Sequence, residues 1–163
     1  MNYTYDLDSR LTQVGKDNPN LIIQSGDLSS GDTTTKNPDG TITTTTIQGN
    51  TDASGLQTTT FSSTDANGVT TTSAPEISGS TTITIDDRTS KGDTPGVMVH
   101  ESVHAGEARA NPTQFGKDAA AEKSQPHDQR PQEQRANAAQ KAFTKEIKQA
   151  VKQIEKDRKK DNQ

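Results

Sequence analysis

The sequence predicts an α+β fold: a Thr-rich antiparallel β-meander followed by a helical half that ends in a long C-terminal helix. Three observations carry this expectation. Residues 1–90 are crowded with Thr, which favours strands, whereas residues 91–163 are rich in the helix formers Ala, Gln, Lys and Glu. A turn followed by a β-branched run recurs three times in the first half. In the second half, apolar residues return every three or four positions, the period of a buried helical face.

In the first half, Asn37-Pro38-Asp39-Gly40 precedes Thr41–Thr46, Asp52-Ala53-Ser54-Gly55 precedes Leu56–Phe61, and Asp65-Ala66-Asn67-Gly68 precedes Val69–Thr72. Each turn ends on a Gly that can adopt positive φ. Strands are expected near 41–48, 56–63, 69–74 and 80–86, joined as a meander. The last of them carries Ile83 and Ile85 on one face, so it is the strand expected to pack on a helix.

Thr94-Pro95-Gly96 opens the second half with a capping hydroxyl and a proline suited to the first helical turn. A helix should run from about 95 to 109 and stop before Asn111-Pro112. Residues 111–130 read as loop with a short helix at 117–123. A long helix starts at Pro131, with Ala136, Ala139, Phe143, Ile147, Val151 and Ile154 as its apolar stripe.

Composition limits what this chain can be. Leu, Ile, Val and Phe supply only 23 of 163 residues, so a large apolar core is excluded. No apolar run approaches the ~20 residues of a membrane span. There is no Cys, which excludes disulfides and thiolate metal sites. Residues 1–90 hold 4 Lys+Arg and 11 Asp+Glu, a net −7, while residues 91–163 hold 14 and 11, a net +3. The eight Lys and Arg of residues 141–163 read as the wet face of a helix, and no aromatic–basic platform for nucleic acid is present. No signal peptide is recognisable at Met1–Tyr5.

Chemistry concentrates in Val97-Met98-Val99-His100-Glu101-Ser102-Val103-His104. On a helix, His100 and His104 lie one turn apart and can hold one metal ion between them. Glu101 sits beside them, where a carboxylate can take a proton from a metal-held water as general base. Only three His occur in the chain and two are here. A third ligand is needed, and the candidates are Glu133, His127, Glu107 and Asp128. Glu133 precedes Ala136 by three, so it projects onto the core-facing stripe, where a carboxylate needs a partner. His127 is the alternative, or it supports the oxyanion, as Arg130 or a tyrosine could.

The segment from Ile83 through Glu133 resembles a zincin metallopeptidase, with an edge strand at 82–85, a helix bearing His100-Glu101-x-x-His104, and a later helix supplying a Glu, as in gluzincins. Ala105 after the second His is common in such domains. The 28 residues between His104 and Glu133 depart from the usual pattern. The resemblance implies a Zn²⁺-dependent endopeptidase acting on a protein substrate, with residues 21–163 as one domain (β part 21–90, α part 91–163). Tyr3-Thr4-Tyr5-Asp6-Leu7-Asp8-Ser9-Arg10-Leu11-Thr12-Gln13-Val14 is similar to the Rhs/YD repeat, with Ser9 in place of its Gly. Residues 1–20 would then be a repeat remnant and the domain a toxin delivered as part of a longer secreted chain, with a cognate immunity protein as partner. The rival expectation is a non-enzymatic, secreted Thr-rich binding module, or an inactive zincin with a structural metal.

Overall fold

The computed structural model describes residues 20–161, so the YD-like segment lies outside the described residues. The α+β class holds: a β-rich N-terminal region is followed by helices. Among the described residues, nine strands precede three α-helices. The strands are β1 (Leu21–Gly26), β2 (Thr33–Lys36), β3 (Ile42–Thr45), β4 (Gly49–Asp52), β5 (Gln57–Thr59), β6 (Ser62–Thr64), β7 (Thr70–Thr72), β8 (Glu76–Ser78) and β9 (Thr81–Asp86). The helices are α1 (Thr94–Ala110), α2 (Pro112–Glu122) and α3 (Pro131–Asp161).

The strands do not form one meander. A central sheet has the order β1-β9-β4, in which β1 runs parallel to β9 and β4 antiparallel to it. The remaining strands pair as β2–β3, β5–β8 and β6–β7, all antiparallel. The expected edge strand at 82–85 is therefore the central strand. Ile83 and Ile85 are buried, and Leu21-Ile22-Ile23 supplies a flanking strand outside those expected. A parallel pair needs a long crossover, and the hairpins occupy it.

Those hairpins are Thr-rich and bury little; even Ile42, Phe61 and Val69 are exposed. Gly40 and Gly68 take positive φ at the β2–β3 and β6–β7 turns, as expected, while Gly55 does not. Asp39 and Asp65 close their turns by accepting backbone N–H groups of Thr41 and of Asn67 and Val69. Across β6–β7, Thr64 and Thr70 share a hydroxyl hydrogen bond of 2.9 Å.

The core is correspondingly small. Ile83, Ile85, Val97, Met98 and Ala105 form it, with Leu21 and Ile23 packed alongside. This is the strand-on-helix contact the Ile83/Ile85 pair predicted. A second set of small residues, Ala108 and Ala136, is fully buried.

Helix starts follow local chemistry with two corrections. Thr94 does not cap α1; its hydroxyl donates to the Ser90 carbonyl, and Ser90 is bonded to Asp93. Asn111-Pro112 ends α1 but also starts α2, because the Asn111 side chain accepts the Gln114 N–H. Most of the expected loop at 111–130 is thus helix, followed by a single 3₁₀ turn at His127–Gln129.

The stripe of α3 is buried in its first half only. Ala136 is fully buried, whereas Ile147, Val151 and Ile154 are exposed. The reason is length: α1 has 17 residues and α3 has 31, about 26 Å against about 46 Å, so the end of α3 overhangs its neighbours. Among the described residues, no helix is long and apolar enough to cross a membrane.

Candidate metal centre

Helix α1 divides its work between two faces. Val97, Glu101 and Ala105, four apart, are buried on the side that meets the sheet. His100 and His104, also four apart, meet the start of α3. Their rings are edge to face with centroids 4.9 Å apart. Phe115 of α2 lies edge-on to His104 at 6.5 Å.

Glu133 completes the group from the first turn of α3. Its Oε2 lies 3.1 Å from His100 Nε2 and 3.5 Å from His104 Nε2, and the two Nε2 atoms are 3.2 Å apart. Three ligating atoms thus form a closed triangle, and His100, His104 and Glu133 could hold a metal ion. Two imidazole nitrogens facing each other can share only one proton, so the cluster is short of donors and suited to a cation.

The remaining candidates separate clearly. His127 Nε2 is 3.3 Å from Glu133 Oε1, but the ring is 63% exposed where Glu133 is 14%. It stands at the rim of the triangle, held by the 3₁₀ turn that leads into α3. Glu107 is turned away into an ion pair with Arg135. Asp128 is exposed and outside the triangle. Arg130 bonds the carbonyls of Gln125 and Lys123. Tyr3 and Tyr5 lie outside the described residues.

The electrostatics fit a charged cluster. Hydrogen bonding to Glu133 raises the His100 pKa, against the opposing effect of burial. Burial pushes Glu133 upward, but the hydrogen bonds from His100 and His104 outweigh it and hold this carboxyl well below the carboxylate range. Burial raises the pKa of Glu101, opposed by a hydrogen bond from Thr51.

Two residues at this site carried no signal in the sequence. Thr51 and Gly49 of β4 both lie against Glu101. One Thr among so many has nothing to distinguish it, and their proximity to Glu101 comes only from sheet packing. Comparison with known proteins adds no assignment: no family model, curated protein or solved structure matches the chain.

Proposed function

We propose that this chain is a zinc-dependent metallopeptidase domain in which His100, His104 and Glu133 hold the metal and Glu101 is the general base. One observation carries the reading. A tetrahedral zinc with ligands at about 2.0–2.1 Å sets those ligands about 3.3 Å apart. The triangle has edges of 3.1, 3.2 and 3.5 Å. It comes from the two residue types, at the helical spacing, that such a site requires.

Zinc, when bound, supplies Lewis-acid chemistry that acidifies water and polarises the scissile amide carbonyl. The chain's own residues do the rest. His100 and His104, fixed on one helix, supply neutral nitrogen donors. Glu133 supplies a negative oxygen from a second helix, which limits the drift of the triangle. Glu101 takes the proton of the attacking water and returns it to the departing amine. His127, exposed at the rim, is the group we assign to the developing oxyanion. The similarity of residues 3–14 to the Rhs/YD repeat supports delivery as part of a longer toxin acting on a target-cell protein.

The test joins metal content to catalysis. Elemental analysis should find one zinc per chain in wild type and none in the His100→Ala/His104→Ala double variant. Glu101→Gln should keep the zinc and lose about 10²–10⁴-fold in cleavage of a denatured bacterial proteome, read by mass spectrometry of new N-termini. Equal, near-zero metal in wild type and double variant removes the centre. A zinc-loaded wild type no more active than Glu101→Gln leaves a structural metal site.

A further inference from the structure

Strand β4 lies at the edge of the central sheet and runs over α1. Its residues alternate, with Gly49 and Thr51 turned inward and Asn50 and Asp52 outward. Both inward residues meet Glu101. The Thr51 hydroxyl lies 2.7 Å from Glu101 Oε2, to which it donates, and 3.0 Å from the Glu101 carbonyl oxygen. At Gly49, an added Cβ would stand 2.7 Å from Glu101 Oε1 and 2.7 Å from Val97 Cγ1. One oxygen of the carboxylate is therefore held by a hydroxyl, and the other lies against bare backbone.

The strand itself is well anchored. Thr51 pairs with the fully buried Ile83, and Gly49 with Ile85. Just before β4, the Gln48 carbonyl accepts the Asp86 N–H and the Thr89 hydroxyl. Ile47 N–H donates to Asp32, and Asp32 is ion-paired with Arg88. The hydroxyl therefore reaches Glu101 from a fixed point rather than from a loop.

We propose that Thr51 is a positioning residue for Glu101, fixing the carboxylate rotamer through Oε2 and leaving Oε1 for the proton, with Gly49 as the clearance that admits it. The inference rests on the peptidase reading, in which Glu101 is the base. A Glu side chain has several rotamers, and proton transfer needs its oxygen held within hydrogen-bond reach of the substrate water. A hydroxyl donating to a carboxylate is short and charge-assisted, strong enough to select one of them. Thr51 touches neither the metal triangle nor the reacting atoms in this scheme. It acts through Glu101 alone.

Thr51→Val keeps the shape and deletes the donor; Thr51→Ser keeps the donor. The assay uses a quenched peptide copied from a site that wild type cleaves in a proteome-derived peptide mixture. Thr51→Val should lower kcat at least about tenfold with KM and zinc content unchanged, and Thr51→Ser should stay within about threefold of wild type. A readout free of catalysis accompanies this. Crystal structures of the zinc-free variants should find Glu101 Oε2 displaced in Thr51→Val and in place in Thr51→Ser. Full kcat in Thr51→Val, with Glu101→Gln inactive, overturns the role of Thr51 and leaves the peptidase intact. An unmoved carboxylate in Thr51→Val overturns it equally. Wild type and Glu101→Gln equally inactive with zinc bound would remove the base, and this proposal with it.

Discussion

Replacing Glu133 by Ala takes away one corner of the triangle, and the loss can be sized from what the corner does. Zinc held by four ligands in small domains binds with about 10–16 kcal/mol, so one ligand accounts for about 3 kcal/mol, roughly a hundredfold in affinity. One effect works the other way. Without zinc, Glu133 favours the protonated form of His100, and that proton must leave before the nitrogen can ligate. Glu133→Ala removes this competition as well as the ligand. The net loss should therefore be at least about tenfold near pH 6 and larger at pH 8, where the proton competes less. Activity should vanish at both. His127→Ala deletes a ring that is 63% exposed and meets Glu133 through the oxygen outside the triangle, so zinc affinity should stay close to wild type and only rate should fall. Competition against a chromogenic zinc chelator at the two pH values measures both variants. Affinities in the reverse order, with His127→Ala the weaker binder, would refute the reasoning and transfer the third position to His127.

Two further outcomes follow from the same geometry. Gly49→Ala places a methyl 2.7 Å from both Glu101 Oε1 and Val97 Cγ1, so these buried side chains or the strand must shift; urea unfolding should lose about 1–3 kcal/mol, and an unchanged midpoint would contradict this close packing of β4 on Glu101. In the chelator-treated chain, His100 is raised above 6.5, so its contribution to stability is full below that value and is lost as pH rises through the raised one. Glu133 is depressed below 4.5, so its contribution is present above 4.5 and is lost only as pH falls through the depressed value. The raised pKa of Glu101 acts in the same sense as that of His100. The metal-free chain should therefore unfold at higher urea at pH 5.5 than at pH 8, and greater stability at pH 8 would contradict the cluster.

What the sequence determined by itself is local. The four-residue step from His100 to His104 puts two nitrogens on one helix face wherever that helix lies, because helical pitch is a backbone property. The phase of Glu133 against Ala136 likewise fixes its direction once α3 forms. Asn111-Pro112 was legible as a boundary, though not as a start, since a cap and a stop use the same residue pair. Tertiary structure decided the rest. It made β9 central by pairing it with a strand 60 residues earlier, Leu21 against Thr81. It left Ile147, Val151 and Ile154 in solvent, because α3 outruns the elements that could cover it. It chose Thr51 from a chain full of threonines by laying β4 across Glu101. These are contacts between distant segments, governed by how far each element extends and which face the sheet presents, and no short window of sequence contains that information.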